Sequence, residues 1–316
     1  MSAYSTSEVS VKEQTFSKYD QSQSTAYAQI RRDYHPEVYA EILKQHETSG
    51  GKLDVLLDVG CGPGNVTRSL APHFTQAIGL DPGEQMLATA RSLTAAAHEN
   101  GNSNITFSLS SAEALGSNLS PPIADVSVDL ITAGNAAHWF DMAGFWASVA
   151  RVLKPGGTVA LWTSGQIRAH PSMPAAAEIQ ATMDEMRFGE LLPYTAEGSR
   201  LTSEGYKNLP LPWTLEDPVQ GFNQAGSKHV EWEPERSFYT GQGPISLEAY
   251  EKMMGTASAV TRWRAAHPDD IGTERDIVRR RRREMERILH AAGVEKGKEQ
   301  LLGTVHGAIV IVKKDM

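Results

Sequence analysis

Short apolar runs alternate with amphipathic stretches through the first half of this 316-residue chain. The runs VLLDV, AIGLD, ITFSL and VSVDLITAG are each bounded by turn-forming residues, which is typical of buried strands. FWASVARVL has apolar residues at helical spacing and leads through the turn KPGG into a further hydrophobic strand, TVALW. Strands that alternate with helices in this way predict an open α/β sheet.

The pattern differs at the two ends of the chain. Residues 1–13 are rich in serine and are expected to be mobile. From Phe16 to Leu43 the pattern is helical, and the proline of the segment 33–36 predicts a break into two helices, since a residue before proline avoids the helical region. The final stretch GTVHGAIVIVKK predicts a strand that returns to the sheet.

No alternation of strands and helices is visible after Trp162. Residues 165 to about 270 are rich in proline, glycine and aromatic residues, which predicts a small, mainly helical cap with short strands near Lys228–Trp232 and Arg236–Tyr239. The sheet domain is therefore expected to comprise residues 14–165 and 296–316. Residues 166–295 are expected to form an inserted cap and substrate region.

The first strand runs into a glycine-rich turn. Asp58 is followed by glycines at positions 60, 62 and 64, and alternate glycines let the backbone pass close beneath a bulky ligand. A dinucleotide fingerprint would place its last glycine at the sixth position of the loop. That position is Asn65, so the dinucleotide pattern fails.

The spacing G-x-G-x-G, with an acidic residue two positions upstream, resembles motif I of the class I S-adenosylmethionine-dependent methyltransferases. This resemblance implies S-adenosylmethionine as the cofactor. It also implies a doubly wound, mostly parallel seven-stranded sheet with an antiparallel last strand. The motifs that follow along the chain support the resemblance by their order. Taken singly, Asp81-Pro82-Gly83 and Lys154-Pro155-Gly156-Gly157 are chemically ordinary turns, and Met86 fits a core position.

The resemblance assigns roles at matching positions. Gly60, Gly62 and Gly64 would underlie the methionine portion of the cofactor, and Asp58 would orient the loop or the cofactor's amino group. Asp81 would bind the ribose hydroxyls. The remaining cofactor-binding candidates are Tyr19, Tyr27, Arg31, Met86, Ser111, Ala112, Glu113 and Asn135.

A narrower resemblance appears in YAQIRRDYHPEVY and NAAHWFD, which are similar to segments of the trans-aconitate methyltransferase-like group. Members of that group methylate small molecules, several at carboxylates, which implies a small-molecule acceptor and methyl ester formation by direct displacement. Arg32 and Asn135 replace the group's usual proline and glutamine. Whether Arg31 contacts cofactor or acceptor stays open. The acceptor-binding candidates are His138, Trp139, Trp162 and Tyr239.

His138 has two readings. It is the catalytic candidate, as a base if the acceptor is a phenol or hydroxyl, and otherwise it forms part of the pocket wall. A carboxylate acceptor is already deprotonated at neutral pH and needs no base.

The composition of the chain limits the classes of partner that it is expected to bind. The formal net charge of −8 argues against a protein that follows a nucleic-acid backbone. No apolar run reaches eighteen residues and the N-terminus is polar, so neither a membrane span nor a secretory signal is expected. Cys61 is the only cysteine, and a cytoplasmic location is predicted. No spacing of histidine, cysteine and carboxylate residues suggests a metal site.

Arg279–Arg283 is a run of five arginines. It is interpreted as the solvated face of an amphipathic helix, because apolar residues recur around it at helical spacing; nucleic-acid binding is the competing interpretation. For the whole chain, methylation of oxygen, nitrogen or carbon in a secondary metabolite or lipid-like acceptor stays open, as does a cofactor-binding regulator without turnover. The sequence does not distinguish a monomer from an oligomer.

Overall fold

The computed structural model of the protein describes residues 20–30, 32–97, 104–233 and 235–316. Its centre is a seven-stranded sheet in the order β3-β2-β1-β4-β5-β11-β7. β11 is antiparallel to both of its neighbours, and the other pairings are parallel. The predicted doubly wound, mostly parallel sheet with an antiparallel last strand is confirmed. The strands are β1 (Val55–Val59), β2 (Gln76–Asp81), β3 (Ile105–Leu109), β4 (Val128–Gly134), β5 (Leu153–Thr163), β6 (Ile167–Ala169), β7 (Phe222–Glu231), β8 (Ile245–Ser246), β9 (Gln300–Leu301), β10 (Gly303–Val305) and β11 (Ala308–Lys314).

Ten helices accompany these strands in the described residues. The predicted break near Pro36 is present: His35 caps the second helix, and its Nδ1 accepts a hydrogen bond from the backbone N–H of Glu37. The helices are α1 (Gln21–Ile30), α2 (Pro36–Thr48), α3 (Asn65–Leu70), α4 (Glu84–Ala97), α5 (Met142–Val152), α6 (Ala176–Glu185), α7 (Gly198–Ser203), α8 (Leu247–Gly255), α9 (Ser258–Ala266) and α10 (Ile277–Ala291).

Two apolar cores cover the two faces of the sheet. Successive residues of a strand point to opposite faces, and Leu57 and Leu161 accordingly belong to one core while Leu56 and Trp162 belong to the other. All four side chains are fully buried. A sheet buried on both faces leaves its strand ends as the accessible positions for chemistry.

The expected boundary of the cap is wrong in one respect. β7 falls inside the predicted range 166–295, yet it pairs with β11 as the seventh strand of the main sheet. α7 also contacts the main domain, beside residues 137–139, and Tyr206 packs into one of the two sheet cores. The cap therefore consists of two separate stretches of the chain. The first contains β6 and α6 and precedes α7, and the second contains β8 and α8 to α10 and follows β7.

The cap has its own core and its own links to the sheet domain. α6, α8, α9 and α10 pack around Ile179, Tyr250, Val260, Trp263 and Met285, all of which are buried. The antiparallel pair β6–β10 joins the first stretch to the segment before β11, and β8–β9 joins the second stretch to the same segment. The predicted mainly helical cap is present in this form.

The arginine run lies on α10 and is paired with carboxylates of the cap. Arg279 and Arg282 both bind Glu251, whereas Arg280 and Arg281 both bind Glu190. Arg281 is buried, and its charge is balanced inside the protein by a carboxylate of the cap. These ion pairs favour the amphipathic-helix interpretation over a nucleic-acid patch.

Candidate functional site

The candidate site lies where β1, β2 and β4 end together. After β1 the glycine loop turns beneath β2, because the backbone N–H of Cys61 donates to the Leu80 carbonyl and that of Gly62 donates to Asp81 Oδ2 at 2.9 Å. Gly60, Gly62 and Gly64 all have positive φ. A Cβ on Gly62 would meet no atom within 4 Å, so this glycine borders open space in which a ligand can approach the backbone.

Asp58 is buried beneath this loop. Its Oδ2 accepts a 2.6 Å hydrogen bond from the Thr67 hydroxyl and its Oδ1 accepts one of 2.9 Å from the Thr132 hydroxyl. Burial raises the pKa of the Asp58 carboxyl to about 7, although the two threonines oppose this shift. Both oxygens are thus engaged with α3 and β4, and only 1% of the residue is exposed, which favours the loop-orienting role over contact with a cofactor amino group.

Asp81 ends β2 and faces the loop. Its carboxylate accepts hydrogen bonds from the backbone N–H groups of Gly62 and Gly83, at 2.9 and 2.8 Å. Burial raises the pKa of Asp81 to about 6, and these two bonds oppose the shift. A carboxylate has about four acceptor positions, so capacity remains for a pair of hydroxyl groups.

Asn135 follows β4 with φ +50°, in the left-handed region that non-glycine residues rarely adopt. Its Nδ2 donates to the Tyr239 hydroxyl at 2.9 Å, and its Oδ1 accepts from the Ser164 N–H at 2.9 Å. The ring of Tyr239 stacks on Tyr34 with centroids 5.4 Å apart. Asn135 thus connects the end of β4 to the N-terminal segment and to the segment after β7, as a strained residue at a functional site can.

His138 lies in a short 3-10 turn after Asn135. Its Nδ1 is 2.7 Å from the Tyr206 hydroxyl, and its ring lies 4.3 Å from that of Trp139. Burial lowers the pKa of His138 to about 3. The imidazole is therefore neutral at physiological pH and is a weak base.

The remaining cofactor candidates are dispersed around this edge. Met86 on α4 and Ala112 after β3 are buried. The Ser111 hydroxyl accepts from the Ala114 N–H. Glu113 Oε1 accepts from the backbone N–H of Asp141, at the start of α5, which gives Glu113 a helix-positioning contact that the sequence did not indicate.

Trp162 lies in the core rather than at the acceptor. It has no exposed surface, and its ring packs edge-on against that of Tyr34 with centroids 5.3 Å apart. The predicted contact of Trp162 with an acceptor is therefore corrected: the side chain lies behind the pocket wall. Tyr27 is half-buried on α1, a helix that packs on α4. Tyr19 and Arg31, like residues 1–13, lie outside the described residues.

A cavity of about 140 Å³ opens beside Asn135, between the sheet domain and the cap. Tyr239, Ser164 and Arg32 line its sheet end, and two of these contact Asn135 directly. Its cap end is formed by apolar faces of α6 and α8. Sequence reasoning missed the cap part of the wall, although Met183, Met253 and Met254 recur at helical spacing with other apolar residues.

A second cluster lies on the cap surface, away from this site. Glu286, His290 and Glu299 place ligand atoms within 4.8 Å of one another. His290 pairs with Glu299, and Glu286 with Arg283. These contacts account for the cluster without a metal ion. No helix in the described part of the chain combines the length and apolarity that crossing a membrane requires.

Comparison with known proteins agrees with this geometry. Residues 57–161 match the family of methyltransferase domains. A candidate methyltransferase of Dictyostelium discoideum is 31% identical over 145 residues, which are 46% of this chain and 48% of that protein. The malonyl-[acyl-carrier protein] O-methyltransferase of Enterobacter lignolyticus is 30% identical over 131 residues, 41% of this chain and 45% of that enzyme. The matched segment thus spans about half the length of these relatives.

Among solved structures, a candidate type II methyltransferase from Anaeromyxobacter dehalogenans superposes with a TM-score of 0.56. It is 24% identical, and the match covers 90% of this chain and 97% of that one. The sheet order, the glycine loop and the family match define a class I methyltransferase domain. The family of the matched segment implies S-adenosylmethionine as its cofactor.

Proposed function

We propose that this protein transfers a methyl group to a carboxylate oxygen of a small-molecule acceptor and so forms a methyl ester. The observation that carries the proposal is the setting of the His138 imidazole, whose Nδ1 lies 2.7 Å from the Tyr206 hydroxyl and whose pKa is lowered by its surroundings. With a pKa near 3 it cannot act efficiently as a base at neutral pH. A carboxylate needs no base, since it is already ionised.

The cofactor-binding half of the site is assigned to the strand ends. When bound, S-adenosylmethionine supplies a methyl group activated by its sulfonium centre. The Gly62 backbone would approach its methionine portion, and Asp81 would accept hydrogen bonds from its ribose. Met86 and Ala112 would contact the adenine. The open space at Gly62 and the remaining acceptor positions of Asp81 support this fit.

The acceptor-binding half is assigned to the sheet end of the cavity. Arg32 lines the cavity there and would pair with the acceptor carboxylate. Asn135 and Tyr239, held to each other, would fix the wall against which the carboxylate lies. The cap would keep water away, which favours transfer to the aligned oxygen over side reactions.

The name of one relative supports oxygen as the accepting atom. The malonyl-[acyl-carrier protein] O-methyltransferase shares about two fifths of this chain at 30% identity, and a malonyl group presents a carboxylate. Methylation of a hydroxyl, nitrogen or carbon atom is the alternative, as is a regulator that binds cofactor without turnover. Nucleic acid and membranes are not proposed as partners. The cytoplasm remains the proposed location.

The experiment uses methyl-labelled S-adenosylmethionine, the purified protein and a pool of small carboxylic acids. We expect a labelled product that releases labelled methanol in mild alkali, as a methyl ester does. An alkali-stable labelled product would contradict ester formation and favour an ether, amine or carbon acceptor. Cofactor binding without transfer to any member of the pool or of a metabolite extract would favour the regulator.

His138→Gln examines the role of the imidazole directly. We expect the variant to keep kcat within about tenfold of the wild type, because a wall residue contributes packing and at most one hydrogen bond. The matched control is Tyr206→Phe, which removes the partner of Nδ1 and leaves the imidazole in place. A loss of more than about a hundredfold in His138→Gln alone would restore the base hypothesis.

A further inference from the structure

We infer that the acceptor is an amphipathic monocarboxylic acid, whose apolar body of about six carbons occupies the cavity between the sheet domain and the cap. This inference rests on the proposed function and specifies its substrate class. It differs from the resemblance-based expectation, since trans-aconitate is a small polyanion. Three properties of the cavity support the inference, namely its polarity, its size and its position.

The polarity of the cavity changes from one end to the other. At the sheet end lie Arg32, Ser164 and Tyr239. The opposite end is formed by Ile179 and Met183 on α6 and by apolar residues of α8, β9 and β10. An occupant with one polar end and one apolar end matches this gradient.

The apolar end belongs to two facing helices. Ile179 and Met183 lie four residues apart on α6, and Tyr250, Met253 and Met254 share one face of α8. All five line the cavity. Methionine side chains adapt to irregular apolar ligands, so this wall suits an aliphatic or aromatic body.

The volume limits the size of that body. A dry apolar cavity of about 150 Å³ is large enough to hold benzene, and this cavity has about 140 Å³. A phenyl ring or a chain of about six carbons therefore fits. A longer chain would need the cap to move.

A polycarboxylate does not match the apolar end of this cavity. Among the residues that line it, the charged side chains are Arg32 and Arg168, and the wall formed by α6 and α8 offers no cation. A second or third carboxylate pointing toward Met183 and Met253 would be buried without a partner, which is strongly unfavourable. One carboxylate at the sheet end avoids this cost, because it lies beside Arg32 and next to Asn135.

The test compares acids of different size with the wild-type protein. Butanoate, hexanoate, octanoate, dodecanoate, phenylacetate and trans-aconitate are assayed with labelled cofactor. We expect kcat/KM to rise about three- to fourfold for each methylene buried, to peak at six to eight carbons and to fall for dodecanoate. Phenylacetate should be accepted, and trans-aconitate should be at least a hundredfold poorer than hexanoate.

Binding is measured separately, as the shift in Tm that each acid produces with S-adenosylhomocysteine present. Hexanoate and phenylacetate should raise Tm, and trans-aconitate should not. If trans-aconitate is methylated better than hexanoate, the inference is overturned while the proposed function stands. If hexanoate raises Tm but no acid is esterified, the proposed carboxyl methylation fails and the assignment of the acceptor fails with it, although the protein binds such acids.

Variants at Met183 locate the apolar body. Met183→Trp reduces the cavity and should move the chain-length optimum to shorter acids, whereas Met183→Ala enlarges it and should move the optimum to longer ones. The control is Leu192→Trp, since Leu192 lies in the cap with 58% of its surface exposed and does not line the cavity. An unchanged optimum in both folded Met183 variants would overturn the inference, and a merely destabilised cap would lower activity without moving the optimum.

Discussion

The side-chain amide of Asn135 donates a 2.9 Å hydrogen bond to the hydroxyl of Tyr239, a residue 104 positions later in the chain. Asn135 follows the central strand β4, and Tyr239 lies between β7 and the second stretch of the cap. Because Tyr239 also stacks on Tyr34, this one bond connects three segments at the mouth of the cavity. It links the proposed cofactor edge of the sheet to the proposed acceptor side.

Tyr239→Phe should lower kcat/KM about three- to tenfold, which is the effect of one net hydrogen bond. The ring and its stacking on Tyr34 remain, so the affinity for S-adenosylhomocysteine should stay within about twofold. Steady-state kinetics and calorimetric titration measure the two quantities. Tyr194→Phe on the cap is the control. Equal losses in cofactor affinity and in kcat/KM would show that Tyr239 supports the fold of the whole site.

Cofactor affinity should fall on acidification. Asp81 has a pKa of about 6 in the free protein, and protonation removes part of its capacity to accept hydrogen bonds from ribose hydroxyls. Calorimetric titration with S-adenosylhomocysteine should therefore give a Kd that is constant above about pH 7 and rises below pH 6.

Asp81→Asn identifies the group responsible. We expect it to weaken binding about tenfold to a hundredfold at pH 7.5, the range for a hydrogen bond to a charged group. It should also abolish the rise near pH 6. Thr94→Val, on α4 outside the contacts described for Asp81, is the control. If the rise near pH 6 persists in Asp81→Asn, another group causes it.

Lys313 should make the protein more stable as the pH rises above 8. Its ammonium group lies at the far end of the sheet, where it donates to Thr158 Oγ1 at 2.5 Å and to the Gln45 carbonyl at 2.9 Å. Burial lowers its pKa from 10.5 to about 8. The unfolded chain therefore binds the proton more tightly than the folded one, so the free energy of unfolding rises between about pH 8 and 10.5.

Urea unfolding of the wild type and of Lys313→Met at pH 7.5 and 9.5 measures this effect. The free energy of unfolding of the wild type should gain about 1–2 kcal/mol relative to the variant over that interval. Lys44→Met, on the exposed side of α2, is the control and should show no such gain. A parallel pH dependence of wild type and Lys313→Met would contradict the lowered pKa.

Two arginines of the same run should differ in their effect on stability. Arg281 is 7% exposed and pairs with Glu185, Glu190 and Glu284. Arg281→Ala leaves these carboxylates without their shared partner and should lower the free energy of unfolding by about 1–3 kcal/mol. Arg283 is half-exposed, and Arg283→Ala should change Tm much less because water screens its ion pairs.

Thermal unfolding compares the two variants. Binding to single-stranded RNA, measured by fluorescence anisotropy at low salt, should be undetectable for the wild type, because the run is neutralised by carboxylates of the cap. Salt-sensitive RNA binding that Arg283→Ala weakens would revive the nucleic-acid interpretation.

The sequence predicted the parts of the fold that carry strong local patterns. The strands β1, β2 and β4 and the second half of β5 are mainly apolar and buried, and the break before Pro36 follows from backbone geometry. β7 was assigned to the cap because no alternation of strands and helices is visible after Trp162, and its sequence FNQAGSKHVE does not have the apolar pattern of a buried strand. Its strand conformation depends on pairing with β11, and at this edge of the sheet most of its side chains are exposed, so they can be polar.

The prediction of the candidate site from the sequence is limited in the same way. Asp58, Asp81 and the glycines lie together at the strand ends because motif spacing determines their place. Trp162 was misplaced because β5 is buried on both faces, so period-2 alternation does not tell which side chains face a pocket. The contact between Asn135 and Tyr239 depends on tertiary packing across 104 residues. Local sequence patterns carry no information about contacts between residues that are so far apart in the chain.

Gly165 lies where the chain leaves β5 for the cap, with φ +60°, and a Cβ there would be 2.2 Å from the His306 carbonyl oxygen. The outgoing and returning strands therefore run side by side, but the chain also passes back through α7 and β7 before the cap is complete. The cap is consequently not a removable module. Any chimera that exchanges acceptor specificity between such enzymes must replace residues on both sides of β7 together, and a single-segment graft would leave half of the cavity wall behind.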